Sequence, residues 1–186
     1  MTKVIFNTAV SFDGYIADSD NSLNWLFAVD HDGQPDNAEF MARIGVLVEG
    51  STTYRWVLQE ADLLEEPEKW QQFYGDRPTF VFTSRKHPTP AGADVRFIRG
   101  TVQDALPAIF EAAGDKDVWV FGGGDLAGQF FDADALDEIE LTVAPVALGA
   151  GALLMPRRIE ADRLHLKVAE QHGQFARLVY TVMPRN

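Results

Sequence analysis

Residues 118–131 read VWVFGGGDLAGQFF, and this segment guides the interpretation of the rest of the chain. Its first four residues are β-branched or aromatic, which is typical of a buried strand. Three glycines, Gly122, Gly123 and Gly124, follow directly, and Asp125 then precedes an apolar run with helical spacing. Because Asp is a preferred N-cap residue, the pattern predicts a strand, a glycine turn and a helix that begins at Asp125.

A strand, a glycine turn and a helix start together form a common phosphate-binding arrangement. Glycines let a ligand approach the backbone, and the free N–H groups and the dipole of a helix start attract an anion. The alternative is a tight turn in which glycine supplies a positive φ, although one glycine would be enough for that purpose. Three consecutive glycines therefore favour a ligand-binding loop.

The same glycines partly match the dinucleotide-binding fingerprint G-x-G-x-x-A of a Rossmann fold, with Ala127 as its last residue. That fingerprint normally opens the first βαβ unit, and an acidic residue ends the strand that follows. Here Glu138 and Glu140 lie near the start of the next predicted strand, residues 138–143. We therefore expect a phosphate loop that lies late in a different α/β fold.

The composition limits the classes of function. The chain has 186 residues, enough for a single domain with a full core, and 46% of them are hydrophobic. A formal net charge of −12 repels nucleic acid and anionic membranes, so we expect neither as a partner. The absence of cysteine excludes disulfides and Cys-ligated metal, and we predict no metal site. No signal peptide or membrane span is visible, so we expect a cytoplasmic protein.

Strand-type and helix-type segments alternate along the chain. Helices are predicted over residues 37–44, 52–59 and 102–113, and a hairpin is predicted where residues 164–171 and 175–183 alternate around His172 and Gly173. The predicted fold class is α/β: a mainly parallel central sheet with a C-terminal antiparallel hairpin and helices on both faces. One domain would span residues 1–186. Further strands are predicted at residues 3–11, 46–48, 79–83, 95–98, 118–121 and 138–143.

Three of the predicted strands end in residues that suit ligand binding. One leads into Gly50 and Ser51, one into Ser84 and Arg85, and one into the glycines at 122–124. In open α/β sheets, ligands bind at the carboxyl ends of the strands. Three such ends in one chain favour an extended ligand with several phosphate groups.

Five short motifs follow one another in a fixed order along nearly the whole chain. They are AVSFDGYIA at residues 9–17, GSTTY at 50–54, TSR at 83–85, GGGDL at 122–126, and LDE at 136–138 followed by PVALGAG at 145–151. In this order they resemble the dihydrofolate reductase-like superfamily. Within it they are most similar to the reductase domain of the bifunctional riboflavin-biosynthesis deaminase-reductases and to its stand-alone relatives.

The resemblance implies a dihydrofolate reductase-like fold and NADPH as the hydride donor. Carried over by position, the glycine loop would bind the pyrophosphate and flank the nicotinamide, which Ala9 would line. Ser84 and Arg85 would bind the adenosine 2′-phosphate. The implied cofactor-binding residues are Ala9, Gly50, Ser51, Thr52, Thr53, Ser84, Arg85, Gly122, Gly123, Gly124, Asp125 and Leu126.

The resemblance also implies catalytic residues. Dihydrofolate reductases carry an acidic residue on their first long helix, and here Asp36 and Glu39 are both candidates for that proton donor. Asp13 would lie in the loop that closes over the nicotinamide, or else simply form a turn with Gly14.

Three more residues are assigned to the substrate pocket: Trp25, Phe27 and Thr142. The rings at 25 and 27 would form a wall for a flat ligand, and the alternative is that they fill the edge of the core. The resulting prediction is an NADPH-dependent reductase of a pteridine- or pyrimidine-like heterocycle, of the riboflavin-biosynthesis or dihydrofolate reductase type.

Two positions depart from the family pattern. Ser51 replaces the arginine of the family's GRxTY motif, which removes one positive charge from the expected phosphate site. Phe121 stands where the riboflavin reductases carry a substrate-binding glutamate. The alternative function is therefore a non-catalytic nucleotide-binding or oligomerising protein that kept the fold.

The C-terminal hairpin has one apolar face, and its outer strand would be an exposed sheet edge, which proteins usually cover. Reductase domains of the resembled family often pair through the sheet, so we expect a homodimer. The alternative is that this face packs on the chain's own helices. The face comprises Leu164, Leu166, Val168, Leu178, Tyr180 and Val182.

Overall fold

The computed structural model describes residues 2–33 and 37–185. Its strands are β1 (Val4–Ser11), β2 (Tyr15–Ala17), β3 (Ile44–Gly50), β4 (Thr79–Phe82), β5 (Val95–Ile98), β6 (Asp117–Gly122), β7 (Glu138–Ala144), β8 (Ala152–Leu153), β9 (Leu164–His172) and β10 (Phe175–Val182). Its helices are α1 (Asn24–Phe27), α2 (Ala38–Arg43), α3 (Ser51–Glu60), α4 (Glu68–Tyr74), α5 (Val102–Ala113) and α6 (Gly124–Asp132), with a short 3₁₀ turn at Ala161–Arg163.

Eight strands form the central sheet, in the order β5-β4-β3-β6-β1-β7-β10-β9. The six strands from β5 to β7 are parallel, while β10 runs antiparallel to both β7 and β9. The short strands β2 and β8 pair separately as a small antiparallel sheet. This confirms the predicted fold class of a mainly parallel sheet with a C-terminal antiparallel hairpin.

Each face of the sheet carries its own layer of buried side chains. On one face, Ile109 of α5 and Phe130 of α6 pack with Val4 and Phe6 of β1. On the other face, Tyr54 of α3 and Trp70 of α4 are completely or almost completely buried. Burial of one such side chain contributes roughly 1.5–3 kcal/mol. Helices therefore cover both faces, as the sequence pattern predicts.

Two short helices, α1 and α4, have no counterpart in the sequence prediction. They span four and seven residues, and neither has a side-chain hydrogen bond at its N-terminus. Such short helices lack both the length and the cap that make a helix visible in a sequence. By contrast α5 has the predicted bounds, runs through Pro107, and starts with Thr101 accepting a hydrogen bond from the Asp104 N–H.

The two helices that follow β3 and β6 begin earlier than predicted. Helix α3 is capped by Gly50 and starts at Ser51 rather than at residue 52, and α6 is capped by Gly123 rather than by Asp125. Neither cap position supplies a side-chain hydrogen bond. The first N–H groups of both helices are therefore not covered by a capping side chain.

The hairpin of β9 and β10 contains a bulge that changes which residues share a face. Val179 pairs with Val168 while the next residue, Tyr180, pairs with Leu166. Adjacent strand residues point to opposite faces, so Val168 lies opposite the other members of the predicted apolar face. Leu164, Leu178 and Tyr180 pack against the chain's own core, and Leu166 is 50% exposed.

None of the helices in the described part of the chain is long and apolar enough to cross a membrane.

Candidate functional site

A cleft of about 860 Å³ opens at the carboxyl ends of β1, β3 and β6. All the residues that the resemblance assigns to the cofactor line it, except Ser84 and Arg85. The glycine loop at 122–124 and the start of α3 at Ser51 therefore face one space, although they lie 71 positions apart in the sequence (122 minus 51). The two segments come together as predicted, because ligand sites of open α/β sheets lie at the carboxyl ends of the strands.

The three glycines of the loop are required for different reasons. A Cβ added at Gly122 would lie 2.8 Å from the Thr53 Oγ1, and one at Gly124 would lie 2.2 Å from the carbonyl oxygen of Leu154. A Cβ added at Gly123 would meet only the Ile16 Cδ1, at 3.9 Å. Close packing thus explains two of the glycines, and Gly123 presents bare backbone to the cleft. None of the three has a positive φ, and the Gly122–Gly123 peptide bond is cis.

Ser84 and Arg85 lie in the loop beyond β4, next to the cleft residue Phe82. The Arg85 N–H donates a hydrogen bond to the Thr83 Oγ1 at 3.1 Å, while the Arg85 side chain is exposed. Among the described residues no carboxylate forms an ion pair with this guanidinium. Arg85 is not part of the cleft lining, although it lies three residues after Phe82, which is.

The wall of the cleft that was expected to contain the rings of residues 25 and 27 is formed by other residues. Leu23 and Leu26 line the cleft, whereas Trp25 and Phe27 do not. Phe27 stacks on Trp56 at a centroid distance of 6.5 Å, and it is Trp56 that lines the cleft. Trp56 lies one helical turn after Thr52 and Thr53, so the spacing of α3 was the signal that could have identified it.

Asp13 connects two loops beside the cleft. Its carboxylate accepts hydrogen bonds from the Ser11 hydroxyl at 2.7 Å and from the N–H groups of Leu148 and Gly149 at 3.0 and 2.7 Å. These hydrogen bonds, that from Ser11 first, lower the pKa of Asp13 to about 2. The carboxylate is therefore ionised at neutral pH. Asp13 holds the β1–β2 turn against the loop before β8, and closure of its loop over a nicotinamide stays a prediction.

Few acidic groups reach the cleft. Within the described ranges, Asp125 is the one carboxylate in its lining, and it is bonded to Gln129 and Arg157 at 3.0 Å. The hydrogen bond from Gln129, followed by that from Arg157, lowers the pKa of Asp125. Asp36, one of the two candidate proton donors, lies outside the described residues. His31 also lines the cleft, and no sequence motif marks it.

The other candidate donor, Glu39, lines a second cavity of about 480 Å³ and not the cleft. We call this cavity the side chamber. It lies between α2 and the strands β1, β7, β9 and β10. Glu140 on β7 is 5% exposed there and forms ion pairs with Arg43 of α2 and Arg177 of β10. Thr142, predicted to contact substrate, lines both cavities.

Comparison with known proteins gives a family match. Residues 61–175 match the model of the RibD C-terminal domain. The chain is 30% identical over 178 residues to the uncharacterized protein YwjB of Bacillus subtilis strain 168, covering 96% of this chain and 97% of YwjB. It is 24% identical over 153 residues to YyaP of the same organism, covering 80% of this chain and 78% of YyaP.

Solved structures give the same result. A protein from Shewanella sp. PV-4, provisionally named as a riboflavin biosynthesis protein, matches with a TM-score of 0.75 and 25% identity, covering 98% of this chain and 99% of that one. A diaminohydroxyphosphoribosylaminopyrimidine deaminase/5-amino-6-(5-phosphoribosylamino)uracil reductase from Thermotoga maritima matches with a TM-score of 0.66 and 16% identity. That match covers 98% of this chain and 57% of the Thermotoga chain, and at this identity it shows the fold alone. The chain belongs to the RibD C-terminal domain family.

Proposed function

We propose that this member of the RibD C-terminal domain family is an NADPH-dependent reductase that transfers hydride to a pteridine- or pyrimidine-like heterocycle. The family supports a reductase-like role, and the name of the Thermotoga neighbour includes a uracil reductase. The observation that carries the proposal is the bare backbone of Gly123, which faces a cleft of about 860 Å³ next to the start of α6. Riboflavin biosynthesis and dihydrofolate reductase-like chemistry are the two settings that this proposal includes.

The residues of the cleft suit NADPH. Two helix starts without capping side chains supply N–H groups and positive dipole ends for the phosphates, and these starts lie at Ser51 and Gly124. The hydroxyls of Thr52 and Thr53 lie beside the first of them. The bound cofactor would supply a hydride, and Gly123 is the position at which its pyrophosphate can approach the backbone.

The chain's own side chains would then orient the heterocycle and exclude water. Leu23, Leu26 and Trp56 form an apolar wall of the cleft, and Ala9 and Thr142 line it from β1 and β7. Reductase activity of this type needs a positioned cofactor, a dry pocket and a source of protons. Asp36 stays a candidate proton donor, Glu39 could act only from the side chamber that it lines, and His31 joins them as a residue of the cleft lining.

Replacement of Gly123 by valine tests the proposal. A branched side chain at this position would fill the space that the phosphates need, so the affinity for NADPH should fall roughly a hundredfold or more, which is about 2.7 kcal/mol. The measurement is the rise in melting temperature with NADPH, NADH and FMN, since a ligand that binds the folded state alone raises it. The control is Ala108→Val, which adds the same branched side chain at an exposed position of α5 outside the cleft and should bind NADPH normally. A folded Gly123→Val variant with unchanged NADPH affinity would contradict the proposal.

A second candidate is a nucleotide-binding protein without catalysis. The observation in its favour is that the cleft lining holds, within the described ranges, a single carboxylate that is already bonded to Arg157. Ser51 and Phe121 are consistent with this reading, because both replace charged residues of the family pattern. Oxidation of NADPH coupled to reduction of a pterin favours the reductase, and NADPH binding without turnover of any tested pterin or pyrimidine favours the alternative.

We also propose a homodimer. Strand β9 is the edge of the central sheet, and Leu166 on it is half exposed. Pairing of this edge with a second copy would satisfy its free backbone groups. Light scattering at micromolar protein should give twice the monomer mass, because an interface of standard size persists at that concentration. A monomer mass would contradict the dimer.

A further inference from the structure

The side chamber and the cleft meet at three polar residues. Asn7 of β1, Asn37 before α2 and Thr142 of β7 line both cavities. No hydrogen bond from any described residue reaches the side chains of these three, although the Asn7 carbonyl accepts one from the Trp119 indole at 3.0 Å. Two amides and a hydroxyl thus keep their hydrogen-bonding capacity at the point where a ligand would pass from one cavity to the other.

The positively charged side chains in the side chamber are all paired with carboxylates. Arg43 is paired with Glu140, and Arg177 lies 3.2 Å from both Glu140 and Glu170. Two guanidinium groups thus face two carboxylates, and Glu39 adds a further negative charge to the wall. His172 also lines the chamber, and its Nε2 lies 3.4 Å from a carboxylate oxygen of Glu170. Among the described residues, every basic side chain of the chamber therefore already has a carboxylate partner, and none is left over for a phosphate or carboxylate of a ligand. An anionic ligand would have to compete with Glu140, which is 5% exposed and already bound.

A neutral group with many hydroxyls suits the same wall. A hydroxyl can donate to a carboxylate oxygen and accept from a guanidinium, so it adds hydrogen bonds without disturbing the ion pairs. Phe40 and Phe175 supply apolar surface beside these polar groups. The volume of about 480 Å³ is sufficient for a short carbon chain.

We propose that the side chamber binds a neutral, polyhydroxylated arm of the substrate while the heterocycle lies in the cleft. The proposal rests on the proposed function for the position of the heterocycle. It narrows the substrate class to a heterocycle whose hydroxylated arm carries no phosphate. The junction residues Asn7, Asn37 and Thr142 contact the bond between ring and arm.

Three pterins with the same ring test the proposal. They are 6-methylpterin without an arm, neopterin with a trihydroxypropyl arm, and the monophosphate ester of neopterin. Binding is followed by protein NMR, which detects weak ligands and identifies the residues they touch. Neopterin should bind about tenfold more tightly than 6-methylpterin, as expected for two added hydrogen bonds, and should shift the signals of Phe175 and Arg177. The phosphate ester should bind no better than neopterin.

A charge variant sharpens the test. Glu170→Gln removes one carboxylate from Arg177, so it should raise the affinity for the phosphate ester roughly threefold to tenfold and leave that for 6-methylpterin unchanged. The control is Glu160→Gln, which removes a glutamate from an exposed ion pair with Arg158 outside both cavities. This variant should change none of the three affinities.

Two results would overturn the proposal. Equal affinity for all three pterins would show that the arm is not recognised, and tighter binding of the phosphate ester to the unaltered protein would show an anion site. If none of the pterins binds, ribitol alone decides: signal shifts confined to the side chamber support the proposal, and their absence overturns it. The proposed function is scored separately, by NADPH affinity and NADPH oxidation, so either idea can fail without the other.

Discussion

The cleft and the side chamber lie next to each other but are lined by different kinds of chemical groups. The cleft has two helix starts, bare glycine backbone and an apolar wall, with Asp125 as its one carboxylate among the described residues. The side chamber has ion pairs centred on Glu140 and no helix start among its described lining residues other than that of α2. Backbone dipoles can receive an anion without any positive side chain, which suits a chain with a net charge of −12. An ion-pair network in which every arginine already has a carboxylate partner instead favours ligands with uncharged hydrogen-bonding groups.

Two buried glutamates of the central sheet also differ in whether they have ion-pair partners. Glu140 is 5% exposed and is bound by two arginines. Glu49, at the end of β3, is 2% exposed, and its Oε2 has no hydrogen-bond partner in the described part of the chain. Burial raises the pKa of Glu49 to about 8. One carboxyl group is thus bound by two guanidinium groups, whereas burial without such partners favours the neutral form of the other.

The largest effect is expected for Glu49→Gln. Because the pKa of Glu49 is raised on folding, the folded chain binds the extra proton and loses stability as the pH rises from about 4.5 to about 8. An amide of the same shape does not titrate, so the variant should gain on the order of 3 kcal/mol relative to the unaltered protein between about pH 5 and about pH 8. Urea unfolding at the two pH values measures this difference.

Glu60→Gln is the matched control for that experiment, since Glu60 is an exposed glutamate at the end of α3. It should show the same pH dependence of stability as the unaltered protein. If Glu49→Gln also keeps that dependence, Glu49 is ionised in the folded chain and the contrast with Glu140 disappears.

A smaller effect of opposite sign is expected for Glu140→Gln. Its removal leaves Arg43 and Arg177 without their shared carboxylate, while both guanidinium side chains are about one third exposed, at 39% and 34%. Loss of one partner of a fully buried pair costs about 3–5 kcal/mol, and the partial exposure of the arginines reduces the expected loss to about 2 kcal/mol. Urea unfolding at neutral pH measures it.

The comparison for this variant is Glu66→Gln, which breaks the exposed pair with Lys69 and should cost less than about 0.5 kcal/mol. A loss of that small size for Glu140→Gln as well would mean that the network of the side chamber does not stabilise the fold.

The sequence predicted the cleft far better than the side chamber, for a physical reason. The cleft is formed by short sequence motifs: Gly122–124 after an apolar strand, and Thr52 and Thr53 at a helix start. Each motif can be recognised in the sequence by itself, and both lie at the carboxyl ends of strands, where ligands bind in open α/β sheets. The side chamber depends on Arg43, Glu140 and Arg177, which come together because β7 and β10 are neighbours in the sheet and α2 packs beside them. The spacing of these residues in the sequence does not show that they are neighbours in the fold. Glu49 was equally hidden, since burial of a strand residue is decided by the helices that cover it.

A substitution of Arg85 measures how much a positively charged side chain contributes to cofactor binding. Its side chain is exposed, it lies three residues beyond Phe82 of the cleft lining, and it is the one arginine that the resemblance assigns to the cofactor. If it binds the 2′-phosphate, Arg85→Ala should weaken NADPH about tenfold and leave NADH unchanged, because an exposed charge-assisted contact contributes about 1.5 kcal/mol. Lys86→Ala, the exposed neighbour, is the control and should lose less than Arg85→Ala. Titration of both variants with the two cofactors gives the answer. Equal losses for NADPH and NADH would mean that Arg85 does not recognise the 2′-phosphate. The backbone of the cleft would then bind the phosphates of the cofactor without a specific contribution from this guanidinium.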